Sequence, residues 1–169
     1  MKLINYICFA VFAICIFCSC EKKDYPAGEP QLEHHYYAIF VPNNNTGVTV
    51  TRNQTALVKF PVQFYSTFTR DYDAVAKYAV TTFGITTPAV RGVDYNIVDK
   101  NGNVIPSTDS TYSIVFPKAV QAMDTIYMKL LNNPATGIRK MEIQLLDNIT
   151  EKFDVDIFST AYRRPVQIN

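Results

Sequence analysis

The side chains that could carry out chemistry are few, and their spacing does not favour catalysis or metal chelation. The two histidines, His34 and His35, are adjacent. Neighbouring residues of a strand point to opposite faces, so this pair is a poor chelator of one metal ion. Asp154 and Asp156 would share one strand face, where carboxylates are solvated charges rather than the two sides of a glycosidase cleft.

The chain also lacks the usual sets of catalytic residues. All four cysteines lie within the first 20 residues, so the remainder has no thiol nucleophile, disulfide or thiolate metal site. It has no G-x-S-x-G or P-loop pattern, and a Ser-His-Asp triad would need one of the two histidines. We therefore predict a protein that is not an enzyme and that needs no cofactor.

The start of the chain is typical of an export signal that ends in a lipidated cysteine. Its apolar run, Leu3–Phe17, is shorter than the roughly 20 residues that span a bilayer. The run ends in Phe17-Cys18-Ser19-Cys20, which resembles a bacterial lipoprotein signal. Ser19 is the small residue that such a signal has before its cysteine, and this selects Cys20 for lipidation. The alternative is a soluble secreted protein with an ordinary signal peptide.

The residues after the cysteine indicate a flexible tether, because prolines and charges replace aliphatic residues there. The predicted organisation is a signal peptide (1–19), the lipidated cysteine and tether (20–34) and one folded domain (35–169). Glu21 and Asp24 resemble the acidic signal that directs lipoproteins of the Bacteroidota to the outer face. This resemblance implies an outer-membrane lipoprotein of the cell envelope, exposed at the cell surface and anchored by its acyl chains.

The mature chain has a formal charge close to zero. The whole chain has 16 Lys and Arg against 15 Asp and Glu, and the predicted signal peptide removes one lysine, Lys2. Phosphate binding needs a basic surface, so the composition argues against a nucleic-acid partner.

Beyond the tether, short apolar stretches alternate with turn residues. Val58, Phe60, Val62 and Phe64 lie on one face of a predicted half-buried strand, and Pro61 suggests that this strand is at an edge or carries a bulge. About seven to eight such strands predict a single all-β domain, an immunoglobulin-like β-sandwich.

The stretch after Pro117 fits two interpretations. Val120, Met123 and Tyr127 have helical spacing, whereas the following apolar residues alternate. We favour a strand over about residues 124–131, because its neighbours are strands, and a one-turn helix before it stays open.

Residues 90–95, VRGVDY, look like the G-x-D-Y element of Calx-beta domains. Residues 114–117, 125–131 and 141–148 follow in the order of that family's later strands. The chain is also similar to uncharacterised domains of Bacteroidota surface lipoproteins that are often encoded beside Sus-type glycan-uptake proteins. The resemblance spans about residues 35–169 and implies a Calx-beta-like sandwich.

The resemblance also implies a place for calcium. Calx-beta sites use several acidic residues at one end of the sandwich; Asp94 and Asp147 sit at matching positions, and Asp71 and Asp73 are candidates to join them. Ca²⁺ takes 6–8 oxygen ligands, and one carboxylate, Asp147, stands where calcium-binding members have paired aspartates. The alternative role of Asp94 is to fix its turn by accepting backbone N–H bonds.

The tripeptides Asp109-Ser110-Thr111 and Asp124-Thr125-Ile126 resemble the O-glycosylation pattern of the Bacteroidota, with attachment at Ser110 and at Thr125. Ser110 falls in a predicted loop, and Thr125 begins a predicted strand.

The tyrosine-rich composition, without tryptophan, leaves one function open, since exposed tyrosines on a sandwich face can stack on sugars. The tyrosines of the predicted domain include Tyr36, Tyr37, Tyr65, Tyr72, Tyr95, Tyr112, Tyr127 and Tyr162. We expect a membrane-anchored, non-enzymatic binding or accessory module in glycan or nutrient uptake, with glycans or Sus-type outer-membrane proteins as partners. The alternative is a structural or adhesive surface domain that is stabilised by calcium.

Overall fold

The structure, a computed structural model, describes residues 34–66, 69–120 and 122–169. These residues belong to one compact unit, His34–Asn169. The predicted signal peptide, Cys20 and most of the tether lie outside the described residues. Within the described ranges, no helix has the length and apolar character needed to cross a membrane.

The described residues form eleven strands in two sheets, which confirms the predicted β-sandwich. The strands are β1 His35–Phe40, β2 Val48–Val50, β3 Val58–Tyr65, β4 Ala74–Thr81, β5 Tyr95–Val98, β6 Thr111–Phe116, β7 Ala122–Leu130, β8 Arg139–Leu146, β9 Asn148–Ile149, β10 Asp154–Ile157 and β11 Arg163–Ile168. One sheet has the strand order β5-β7-β3-β1-β10-β9, and the other has the order β2-β11-β8-β4-β6.

Period-two alternation explains how each sheet contributes to the core. In β3, the four alternating residues Val58, Phe60, Val62 and Phe64 are all buried, and burial of side chains of this size stabilises the fold by about 1.5–3 kcal/mol each. The inward residues of both sheets form one cluster. Its largest fully buried members include Phe40, Phe60, Phe64, Phe116, Ile97, Met128, Met141, Ile143, Leu145 and Ile168.

Strand direction gives the sandwich two distinct ends. We call the end where β1 begins and β3 finishes the near end, because the tether precedes β1 in the chain. The opposite end, where β3 begins at Val58 and β7 finishes at Leu130, is the far end. Strand β7 is antiparallel to β3, and β5 is antiparallel to β7, so β5 begins at the far end.

The number of strands exceeds the predicted seven to eight. Several strands are only two to four residues long, and β9, a two-residue strand directly after β8, has no period-two signal of its own. The stretch after Pro117 starts as a 3₁₀ turn, Pro117–Ala119, and β7 then begins at Ala122. The predicted strand is therefore confirmed, with a start two residues earlier than expected.

The edge position or bulge inferred from Pro61 was wrong, since β3 pairs with β7 residue for residue from Val58 to Phe64. Strand β3 lies in the interior of its sheet, between β7 and β1. The carbonyl of Pro61 accepts the N–H of Val41 at 2.9 Å, just beyond the end of β1. Because the N–H and C=O of a strand residue point to the same side, the missing N–H of Pro61 faces the place where β1 stops. An interior strand therefore tolerates this proline.

Candidate functional site

Two tyrosines and a phenylalanine lie together on the outer face of the six-stranded sheet. Tyr37 of β1 stands opposite Tyr65 of β3 in the antiparallel register, and opposed residues have Cβ atoms about 5 Å apart. Phe158, which follows β10, packs on Tyr37 with ring centroids 4.7 Å apart. Tyr37, Tyr65 and Phe158 stay 37%, 44% and 45% exposed. We call these three residues the aromatic strip.

Hydrogen-bonding groups border the aromatic strip. Asp156 of β10 is in register with Tyr37. His35 lies between two carboxylates, with Nε2 3.0 Å from Asp154 Oδ2 and Nδ1 3.6 Å from Asp156 Oδ2. Gln63 alternates with buried neighbours along β3 and therefore points to the same outer face. The face thus combines ring surface with hydrogen-bond donors and acceptors.

The local sequence explains why these rings point outward. In β1, Tyr36 and Ala38 are buried, so Tyr37 between them must face away from the core. In β3, Phe64 is buried and the next residue, Tyr65, therefore faces outward. The alternation in sequence contains this information for each strand separately. The pairing of β1 with β3 and the contact of Phe158 with Tyr37 join residues that are far apart in the sequence. The sequence therefore includes Tyr37 and Tyr65 among several candidate tyrosines, and it does not indicate Phe158.

Most other tyrosines of the domain are unavailable to a ligand. Four are buried in the core, Tyr36, Tyr78, Tyr95 and Tyr112. Burial raises the pKa of Tyr95 to about 12 and also raises that of Tyr78. Tyr72 is held at the near end, where its Oη lies 2.6 Å from both Tyr36 Oη and His34 Nδ1. Of the tyrosines named from the sequence, Tyr37 and Tyr65 in the aromatic strip are exposed, whereas Tyr127 and Tyr162 are half-buried.

The four carboxylates predicted for calcium lie at opposite ends of the sandwich. Asp71 and Asp73 lie between β3 and β4, and Asp147 follows β8, so these three are at the near end. Asp94 precedes β5 and is at the far end. Asp73 and Asp147 each accept a backbone N–H bond. Among the described residues, no three His, Cys, Asp or Glu side chains are grouped so that they could hold a metal ion.

Asp94 has the turn-fixing role that the sequence offered as the alternative to calcium. Its Oδ2 accepts the backbone N–H of Val90 at 2.7 Å, and its Oδ1 lies 2.9 Å from Arg52 Nη1. Burial opposes ionisation of this carboxyl. The hydrogen bonds from Val90, Asn133 and Arg52 outweigh that effect and hold the pKa of Asp94 below its usual range.

The two predicted O-glycosylation residues differ in accessibility. Ser110 is exposed at the tip of the hairpin that leads into β6. Thr125 is half-buried in β7, opposite Pro61 of β3. Ile126, Met128 and Leu130 of β7 are buried. Thr125 precedes Ile126 and therefore points to the outer face of the six-stranded sheet.

Comparisons with known proteins support the fold. No protein-family model matches the chain, and no curated protein matches it. The apo-form Calx CBD1 domain has a TM-score of 0.50 and 15% identity, covering 79% of this chain and 97% of that chain. The CBD12 structure from CALX1.2 has a TM-score of 0.48 and 17% identity, covering 78% of this chain and 44% of that chain. At this identity the likeness concerns the fold alone: the chain has a Calx-beta-like β-sandwich fold.

Proposed function

We propose that the protein is a membrane-tethered, non-enzymatic module that binds glycans on the outer face of its six-stranded sheet. The observation that carries this proposal is the aromatic strip, in which two paired tyrosines and a phenylalanine remain exposed next to carboxylate and amide side chains. An exposed apolar cluster with a polar border is a common sign of a binding surface.

The chemistry of the strip suits a sugar chain. A sugar ring has an apolar C–H face, which stacks on an aromatic ring, and hydroxyl groups at its edge, which need hydrogen-bond partners. Tyr37 and Tyr65 supply the rings, while Gln63, Asp154 and Asp156 supply donors and acceptors beside them. The strip lies on an open sheet face, so a polymer can lie across it without entering a closed cavity.

The proposal includes a location and partners. A lipid on Cys20 would hold the module at the outer membrane, because each buried acyl CH₂ contributes about 0.8 kcal/mol to anchoring. The predicted tether would give the folded unit room to reach a polymer. We place the protein at the cell surface as an accessory of Sus-type outer-membrane proteins, to which it would present bound glycan.

A binding screen tests this proposal directly. The full-length protein, purified in detergent, is applied to a glycan array, and affinity for each positive polysaccharide is measured by affinity gel electrophoresis. In the variant Tyr37→Ala/Tyr65→Ala we expect the affinity to fall about tenfold or more, because each stacked ring contributes about 0.5–1.5 kcal/mol.

The control variant is Phe83→Ala. Phe83 is 96% exposed and lies in the connection after β4, away from the strip, so its removal should leave affinity unchanged. Equal losses in both variants would assign binding to nonspecific apolar contact. A protein that binds no polysaccharide would fit the structural or adhesive alternative instead.

A further inference from the structure

A buried guanidinium occupies the far end of the sandwich. Arg52, which lies two residues after β2, is 9% exposed, and Asp94 is 2% exposed. Arg52 Nη1 donates to Asp94 Oδ1 at 2.9 Å and to Asn133 Oδ1 at 2.8 Å, and Nη2 donates to the carbonyl of Gly137 at 2.8 Å. One side chain therefore binds three oxygen atoms from two separate segments of the chain.

The two segments that supply these oxygen atoms are also hydrogen-bonded to each other. Asn133 Nδ2 donates to Asp94 Oδ1 and to the Val93 carbonyl, both at 2.8 Å. The backbone N–H of Val90 donates to Asp94 Oδ2 at 2.7 Å. Both carboxylate oxygens of Asp94 thus have donors from the protein itself, and one of these donors carries a full positive charge.

The arrangement joins connections from both sheets. Arg52 follows β2 of the five-stranded sheet, Asp94 precedes β5 of the six-stranded sheet, and Asn133 and Gly137 lie in the connection from β7 to β8. A structural cation performs this task when it collects carboxylate, amide and carbonyl oxygens from several loops. Here the guanidinium collects the same three types of oxygen.

The residues present do not fit a calcium ion at this end. Ca²⁺ takes 6–8 oxygen ligands, mostly from several carboxylates, whereas Asp94 is the carboxylate of this network and is already neutralised by Arg52. We propose that Arg52 is the resident cation of the far end, and that the sandwich is therefore stable without calcium. This inference is independent of the proposed glycan function, since it concerns the end of the sandwich and not the sheet face.

Calcium titration of the full-length protein is the first part of the test. Thermal unfolding is followed after removal of divalent ions and again with calcium at about 10 mM, which exceeds the Kd of typical extracellular calcium modules. A site with a Kd near 0.1 mM would raise the Tm by roughly 8 °C. We expect no shift. A rise of this size that disappears in Asp94→Asn would overturn the proposal.

Replacing the guanidinium is the second part. In Arg52→Met, which keeps an apolar chain of similar length, we expect the Tm to fall by about 10 °C or more, because Asp94 is left buried without its partner. The double variant Arg52→Met/Asp94→Asn should recover part of this loss. The control Arg163→Met removes an arginine that is largely exposed and 3.9 Å from Glu142, so it should change the Tm little. Equal, small changes in Arg52→Met and Arg163→Met would contradict the proposal, and the calcium titration of the wild type stays decisive if Arg52→Met does not fold.

Discussion

At the scale of single residues, a buried phenol links the stability of the sandwich to pH. Tyr95 is 4% exposed, and burial, followed by the neighbouring Tyr112, raises its pKa from 10.0 to about 12. A raised pKa in the folded state means that folding favours the protonated phenol. Its stabilising contribution is therefore complete below pH 10 and is lost as the pH rises from 10 to about 12.

The variant Tyr95→Phe should lose less stability at high pH than the wild type. A difference of about two pKa units corresponds to about 2–3 kcal/mol of unfolding free energy. Part of the alkaline loss should remain, because burial also raises the pKa of Tyr78. Urea unfolding at about pH 8 and about pH 12 measures the difference. Tyr37→Phe, at an exposed site, is the control, and identical pH profiles for the two variants would show that Tyr95 is not responsible.

The aromatic strip itself is a property of residues that sequence reasoning could only partly identify. Alternation within β1 and β3 places Tyr37 and Tyr65 on an outward face. Nothing in either strand alone shows that these two positions are opposite one another. Phe158 is harder still to identify from sequence. It approaches Tyr37 through the parallel pairing of β1 with β10, whose partners are more than a hundred residues apart.

At the scale of elements, the hairpin before β6 contains a strained turn. Thr108 and Thr111 exchange two backbone hydrogen bonds, and the two residues between them, Asp109 and Ser110, both have positive φ, 49° and 62°. A two-residue hairpin loop with positive φ at both positions is a type I′ turn, which favours Asn-Gly because other side chains are strained there.

We expect Asp109→Asn/Ser110→Gly to stabilise the protein by about 0.5–1 kcal/mol, since glycine adopts positive φ without steric cost. The Tm of protein produced without glycosylation measures the effect. Asp109→Ala is the matched control, because alanine tolerates the left-handed region less well than aspartate and should lower the Tm. A decrease in both variants would contradict this description of the turn.

Elements also show where pattern reading succeeds and where it fails. The long alternating strands β3, β4 and β8 were predictable, because each has a clear inward and outward face. The interior position of β3 was not, since the effect of Pro61 depends on where β1 ends. The carboxylates predicted to bind calcium do not lie together for a similar reason. Asp94 and Asp147 each match the Calx-beta pattern, but strand direction places them at opposite ends of the sandwich.

At the scale of the whole molecule, the proposed function requires that the folded unit be held at a membrane. The variant Cys20→Ala should move the protein from the membrane fraction to the soluble fraction, because the acyl chains would be lost. Detergent phase partitioning of whole-cell extracts measures this. Cys18→Ala is the control and should remain in the membrane fraction. A Cys20→Ala protein that stays there would contradict lipid anchoring at this residue.

The whole fold was more accessible to sequence reasoning than the site. An all-β sandwich follows from repeated alternation and turn residues, and the likeness to the Calx CBD1 domain agrees with it at 15% identity. The site depends on which outward residues become neighbours, and that is decided by sheet order. The sheet order brings Tyr37, Tyr65 and Phe158 together and leaves all three exposed on one face.

The central claim is that glycan binds across the aromatic strip, and ring-selective NMR of the tyrosines tests it most directly. With the tyrosine rings labelled, a polysaccharide that is positive in the binding screen is titrated into the full-length protein in detergent. We predict that the chemical shifts of the Tyr37 and Tyr65 rings change during the titration until the binding site is saturated. Those of buried Tyr78 and Tyr95 should not change. Binding that leaves Tyr37 and Tyr65 unshifted would contradict the claim.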